Sequence, residues 1–559
     1  MYHYSGVIWV SMKSKNIFLI MARSGNQYIA RQNLRLVNDK PLLFYILQTC
    51  LKFKNTDVYV TTDSEEISEL SLIYGAKVIK RPKSLTKNST SLEEIAFHAL
   101  SNLSKKNLTF EKCILLSPQF LLIKTSTLEN FFKNLTNSIS TIYGYINNFE
   151  KFKKINDPSK SFNKLDKLDS HVVDVKKIVS FNCKNFLKYK KFDSNYYGLK
   201  LSKNETFSLI NYHDIGVLET IIKRKKILIR VDGNDEIGLG HIYNMLTILN
   251  HFRNDDLLIV MNSQKNMGSD KFKEHLYKLK FFNNQNQLSN IIKQYSPDII
   301  FNDILDTSIK YMKFLKQFTN FIVNFEDLGS GSKYANLVFN PIYYSKKKSD
   351  NIFYGSRYAA VRDEFRIWQN NIINKQVTKV LITFGGTDPT NKTQKIIEIL
   401  QNNNFKNIEF TIILGIGYSH KKSLNNLILK MEKNNFKLKI IEGSDFLAKF
   451  FRETDFAITS NGRTVFELAA MNVPIITIPV NNREKTHSFV KYADVGFQID
   501  PDLQNFETTF LDCFNKMCSH KIRKKYKTQL KNLDLLEGIN LVYNIINNKY
   551  DEFKKERNI

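Results

Sequence analysis

The sequence predicts an α/β protein made of three successive βα series, each folding around a mostly parallel sheet. Three observations carry this. Short apolar runs such as NIFLIM from Asn16 and DVYVTT from Asp57 alternate with amphipathic stretches that begin at Leu42 and Ser64, which is the rhythm of βαβ units. A fresh start follows IIKRKK, where KILIRVD from Lys226 runs into a glycine-rich turn. A third series opens at Lys379 with VLITFGGTD, after the polar segment Asn370 to Thr378. The expected organisation is a tail over 1–15, a first domain over 16–223, a second over 226–372 and a third over 379–559 that includes terminal helices. The polar, helical end from Ile522 is expected to pack back across the preceding domain. A Lys-rich stretch from Asn147 to Ser170 reads as an inserted arm.

Composition narrows the function classes. The 559 residues are too many for one core, and a hydrophobic fraction of 42% supports several. Lys and Arg (82) outnumber Asp and Glu (54), for a net charge of +28, yet the lysines are scattered through loops and polar helix faces. No stripe for a nucleic acid results, and the field favours phosphate-bearing small molecules instead. The five cysteines are odd in number and dispersed, so no disulfide framework is implied and a reducing cytoplasm fits. Cys513, Cys518 and His520 lack a second ligand pair at zinc spacing, so no metal is expected there. The apolar patch Val7 to Val10 is too short for a signal segment, and no run approaches the ~20 apolar residues of a membrane span.

The densest chemical signal is Arg230 to Asn244, RVDGNDEIGLGHIYN, where a strand delivers Gly238, Gly240 and His241 to the start of a helix. Glycines let backbone approach a ligand, and a helix N-terminus offers unpaired N–H groups to an anion. Two further turns follow strands: Phe384 to Asp388 with Gly385, Gly386 and Thr387, and SNGRTVFE from Ser460, with Gly462, Arg463, Thr464 and Glu467. Gly462 to Thr464 suit a diphosphate, and Glu467, one turn beyond Thr464, suits ribose hydroxyls. Three such turns at strand C-terminal ends mark the place where doubly wound sheets bind ligands. Asp303 and Asp327, just after apolar strands, read as cleft acids or as helix N-caps. Arg483, Glu484 and His487 in NNREKTH read as sugar or phosphate contacts or as a polar loop.

The segments IGLGH, YGSRYAAVRDEF, ITFGGTDPTN and GRTVFELAAMNVPIITI resemble the UDP-sugar hydrolase of pseudaminic acid biosynthesis and related spore-coat polysaccharide proteins. The resemblance spans about Lys226 to Asp500. It implies two Rossmann-like domains of GT-B type with a UDP-sugar between them, no cofactor, and His241 acting on a water that displaces UDP. Asn244 departs from it, standing where the family usually has a basic residue. A glycosyltransferase using the same cleft, with an acceptor hydroxyl replacing water, needs the same base. A fusion that only binds nucleotides is the third possibility.

In the first series, LIMARSGNQYIARQNLRLVNDKPLLFYIL and VTTDSEEISELSLIYGAKVIKRP resemble an acylneuraminate cytidylyltransferase. The resemblance spans about Asn16 to Lys223. It implies a Rossmann-like nucleotidyltransferase domain that joins CMP, from CTP, to a nonulosonic acid with Mg²⁺. Arg23, Gly25, Arg31, Asn33, Lys40, Asp63 and Arg81 fit the pattern. Gln27 and Gln32 stand where the family has phosphate-loop lysines, Pro118 to Ile123 replaces a polar substrate segment with an apolar one, and the metal pair falls on Ser208 and Ile210, with only Asp214 kept. Nucleotidyl transfer needs cations on the triphosphate and carboxylates on the metal. The domain is therefore expected to be degenerate as a synthetase. Oligomerisation is left open.

Overall fold

The computed structural model describes residues 15–557 except 26–27, 137, 148–171, 194–195, 203, 208, 235–237, 347–348, 370–371, 404, 406, 432–435 and 445. The tail, Gln27, Ser208 and nearly all of the inserted arm lie outside the described residues. The chain divides into two compact units, Met1–Lys223 and Arg224–Ile559.

The first unit is built on strands Asn16–Met21 (β1), Leu36–Val37 (β2), Lys40–Pro41 (β3), Thr56–Thr62 (β4), Lys77–Lys80 (β5), Lys112–Leu116 (β6), Thr141–Asn147 (β7), Val172–Asn182 (β8) and Tyr197–Lys200 (β9). β2 and β3 form a separate small hairpin. The main sheet runs β5-β4-β1-β6-β8-β7-β9, parallel through β6 and antiparallel where β8 meets β6 and β7. β1 is central, so both its faces are buried: Phe18 and Ile20 enter one core, Ile17 and Leu19 the other. That is why NIFLIM is continuously apolar rather than alternating.

The second unit contains two sheets. The first comprises Lys226–Val231 (β10), Asp256–Asn262 (β11), Lys278–Phe282 (β12), Ile299–Asp303 (β13), Ile322–Phe325 (β14), Leu337–Asn340 (β15) and Ile352–Tyr354 (β16), in the order β12-β11-β10-β13-β14-β15-β16. The other comprises Lys379–Thr383 (β17), Glu409–Leu414 (β18), Lys437–Glu442 (β19), Phe456–Thr459 (β20), Ile475–Thr477 (β21) and Gly496–Gln498 (β22), in the order β19-β18-β17-β20-β21-β22. Every pairing is parallel. Each order reverses beside its first strand, so each sheet has a switch point between β10 and β13 or between β17 and β20, where a crevice opens at the carboxyl ends.

The helix Gly538–Glu556 corrects the expected third-domain boundary. Ile539, Val542, Ile546 and Tyr550 are buried in the same core as Ile227 and Ile229 of β10, so this helix covers the first sheet of the unit rather than the second. Its amphipathic repeat gave no hint of which sheet it would cover, because an apolar stripe fits any apolar face. The preceding helix His520–Lys531 stays with the second sheet, through Tyr526. Its buried Arg523 donates to the carbonyls of Asn374 and Lys375, which pins the segment joining the two sheets. Among the described residues no helix is long and apolar enough to cross a membrane.

Ile546 is fully buried. Ile546→Ala should destabilise the second unit by about 2–5 kcal/mol, read as a lower denaturant midpoint; a change within ~0.5 kcal/mol, the scale of a surface substitution, would show the helix is not part of that core.

Candidate active site

β10 and β13 are register partners to their last residues, Val231 beside Asp303. The chain leaving β10 turns into the helix Gly240–His251, which places His241 on its first turn, over the end of β13. His241 Nδ1 makes a short hydrogen bond to Asp303 Oδ1. An ionised carboxylate only accepts, so Nδ1 carries the proton and Nε2 is the nitrogen able to take another. The ring lines the cleft. Burial alone pulls the imidazole down, but the Asp303 carboxylate and its hydrogen bond, then Glu326, outweigh it and hold the ring above its ordinary value. Burial likewise raises Asp303, and His241 with Arg463 and Asn244 more than reverses this. Asp303 itself is fully buried and does not line the cleft, so its expected place as a cleft acid is corrected: it meets the cleft through His241 and Asn244.

The opposite wall comes from the other sheet. Gly385 follows β17 at φ 77, a conformation that excludes most side chains. Gly386 and Thr387 continue that turn, and both line the cleft with Gly385 and Gly238. Gly462 follows β20 so closely over Glu484 that a Cβ there would lie 2.9 Å from Glu484 Oε1. Glu484 accepts from the backbone N–H groups of Asn461 and Val480, each at 3.0 Å, and burial pushes its carboxyl up to about 7. Arg463 then crosses to the first sheet. It donates to Asn244 Oδ1 at 2.5 Å and pairs with Glu326 at 3.0 Å, and its stem lies 3.4 Å from the position a Cβ on Gly240 would take. Two neighbouring cavities result, sharing Gly240, Gly385 and Arg463 in their walls. One of about 620 Å³ is bordered by Gly238, His241, Glu326, Gly462, Thr464 and Arg483; a tighter one of about 140 Å³ is walled by Tyr243, Arg362, Leu414, Gly415, Phe451 and Glu467.

Several expectations change in detail. Glu467 borders the inner cavity but is already paired with Arg362, at 3.0–3.1 Å. Arg483 spans the cleft to Asp306 through both terminal nitrogens, at 2.9 and 3.1 Å, and donates to the Glu326 carbonyl at 2.8 Å. His487 is committed at both nitrogens, Nδ1 to the Asn461 carbonyl at 2.7 Å and Nε2 to the Tyr343 hydroxyl at 3.2 Å, and burial lowers its pKa. It shapes the cleft wall as a neutral ring, with no nitrogen left for a sugar. Asp327 holds a loop together, accepting from Thr307 and Gly329, so it is not a cleft acid. Its neighbour Glu326 takes that place, at a left-handed φ of 53. The signal for Glu326 was in the sequence, an acid directly after the apolar β14, but a strand pattern cannot say which of two adjacent acids turns outward.

In the first unit, Asp63 accepts from Ser24 N at 2.9 Å and Ser24 Oγ at 2.6 Å, and Asn33 donates to the Arg23 carbonyl at 2.9 Å. Arg81 is 3% exposed, with Nε and Nη2 lacking a partner; burial brings its guanidinium down to about 10. Arg23 is tied to Thr86 and Asn88, and Arg31 is paired with Glu66. A Cβ on Gly25 would meet nothing within 4 Å, so no close approach demands glycine there. Gln32 points inward, 3% exposed, donating to the Leu209 carbonyl and accepting from Gln119. Asp214 caps a chain turn, accepting from the N–H groups of Ile210 and Asn211 at 2.6 and 2.9 Å. Ile210 is an exposed apolar side chain and offers no metal ligand. With Ser208 outside the described residues, the expected metal position brings one carboxylate, Asp214, whose described partners are backbone N–H groups.

Residues 17–208 match the family model described as cytidylyltransferase. The match spans most of the first unit. Over 555 residues, 93% of this chain and 98% of the relative, the sequence is 24% identical to the pseudaminic acid cytidylyltransferase and UDP-2,4-diacetamido-2,4,6-trideoxy-beta-L-altropyranose hydrolase of Helicobacter pylori. It is 24% identical to the spore coat polysaccharide biosynthesis protein SpsG of Bacillus subtilis over 52% of this chain and 89% of SpsG. An uncharacterized protein of Methanocaldococcus jannaschii is 28% identical over 276 residues, 46% of this chain and 57% of its own length.

Asp303→Asn should reverse the balance on His241. With the neighbouring carboxylate gone, burial and Arg463 oppose only Glu326, so the ring should titrate below its ordinary 6.5, whereas the native ring titrates above it. Proton NMR of the imidazole across pH measures this, and an unshifted ring would mean Asp303 does not govern it.

Proposed function

We propose that the second unit hydrolyses a UDP-linked amino sugar in surface-glycan synthesis, in keeping with the two-function relative that matches almost end to end. The observation that carries the reading is the His241–Asp303 pair, with His241 on one glycine turn and set opposite two others and Arg463 across one cleft. The inner cavity suits a nucleoside: apolar walls from Leu414 and Phe451, with Glu467 at its edge to accept from ribose hydroxyls. The diphosphate then falls against the turns at Gly385–Thr387 and Gly462–Thr464, and the sugar extends toward His241. Water attacks the anomeric carbon as His241 Nε2 takes its proton, and the bond from that carbon to the diphosphate oxygen breaks. UDP leaves as an anion, stabilised by backbone N–H groups and Arg463 without needing a proton.

The first unit is read as a nucleotide-binding domain that does not turn CTP over. Arg81 stays buried near the Asp63 carboxylate, but Gln32 points into the interior and Asp214 is spent on a cap. With the full chain, CTP, Mg²⁺ and a nonulosonic acid should release little or no pyrophosphate. Robust Mg²⁺-dependent release would make the protein bifunctional and overturn this half of the reading.

For the second unit, the full chain should release UDP from a UDP-linked amino sugar with no acceptor present. His241→Asn should lower that rate by about 10²–10⁴-fold while calorimetry finds UDP affinity within a few-fold of native. Release that requires an added acceptor would make the cleft a transferase, and normal turnover in the variant would remove His241 from the chemistry.

A further inference from the structure

Asn244 belongs to none of the glycine turns, yet both ends of its amide are used inside the cleft wall. It sits one helical turn after His241, 5% exposed. Nδ2 donates to Asp303 Oδ2 at 2.6 Å and Oδ1 accepts from Arg463 at 2.5 Å. The amide orientation is forced, because a carboxylate can only accept and a guanidinium can only donate. We propose that Asn244 is a positioning residue that couples the His241–Asp303 pair to Arg463, so that proton acceptance and leaving-group binding share one hydrogen-bonded frame. The inference rests on the reading of His241 as base and Arg463 as a diphosphate contact.

The chemistry explains why an amide stands here. A lysine or arginine would satisfy Asp303 but offers no acceptor, and it would repel Arg463. A carboxylic acid would hold Arg463 but places a second negative charge against Asp303. Only a neutral group with a donor and an acceptor joins the two without altering the charge around the imidazole. The charged groups facing His241 are then Asp303 from the end of β13, Glu326 from beyond β14, and Arg463 from the start of the helix Thr464–Ala470. Removing the Asn244 donor leaves Asp303 with less competition for its charge. The carboxylate then holds the imidazolium more firmly, and the base becomes available only at higher pH.

The test uses the full chain with Asn244→Ala and the shape-conserving Asn244→Leu, scoring kcat/KM against pH with a UDP-sugar, and UDP affinity by calorimetry. The acid limb, set by His241 losing its proton, should move up by about half to one pH unit in both variants. UDP affinity should fall a few-fold, because Arg463 loses the acceptor that aims it. NMR titration of the His241 ring should show the same upward shift, which keeps the proposal open to refutation even in protein that has lost turnover. A residue that merely fills space would lower the plateau and leave the midpoint and the ring titration in place, and that result overturns the coupling. His241→Asn separates the two ideas: if it is inactive while both Asn244 variants keep the native midpoint, only the coupling falls; if it turns over normally, both fall.

Discussion

The second unit is organised around one buried carboxylate. Asp303 ends β13 with no exposure to solvent, and a charge in that position is tolerable only if it is paired and hydrogen-bonded. One oxygen takes the His241 N–H and the other the Asn244 amide, and Asn244 in turn holds Arg463 from the opposite sheet. A single acid thereby fixes a tautomer, aims a helix and ties two sheets together. Removing one partner of such a buried group typically costs several kcal/mol, so the network constrains the fold and the chemistry alike.

The cleft is also held by arginines that cross it. Arg463 reaches Glu326, Arg483 reaches Asp306, and Arg362, on the segment leading out of the first sheet, reaches Glu467. Each guanidinium is the kind of group that recognises a diphosphate, and each is partnered by a carboxylate instead. The carboxylates stand where anionic ligand oxygens suit the same donors, so the cleft is pre-shaped for anions without carrying a bare, desolvated cation. The scattered lysines contribute to the overall field but not to this geometry.

In the first unit the sheet and the polar residues at its strand ends answer to different requirements. β1 lies between two apolar cores, and Arg81 lies buried beside Asp63. Gln32 is a structural hydrogen-bonding residue against Leu209, and Asp214 is a cap. Packing and capping are local requirements that many residues meet. A triphosphate site with a metal needs several charges converging at once, a demand that the packing of the sheet does not impose.

The sequence by itself determined the βα rhythm, the three glycine turns at strand ends and the resemblance of each half to a sugar-nucleotide protein. Those are local or order-dependent signals: strands buried on both faces must be apolar throughout, and turns with positive φ or close approach favour glycine. Tertiary structure decided everything that depends on partners distant in the chain. It sent the last helix to the first sheet of its unit, turned Glu326 outward and Asp327 inward, closed both nitrogens of His487, and made Asn244 the joint between Asp303 and Arg463. The physical reason is that an amphipathic stripe or a polar side chain carries its chemistry in its own residue, but its partner is chosen by how parallel sheets bring residues 59 and 219 positions apart to either side of the same amide.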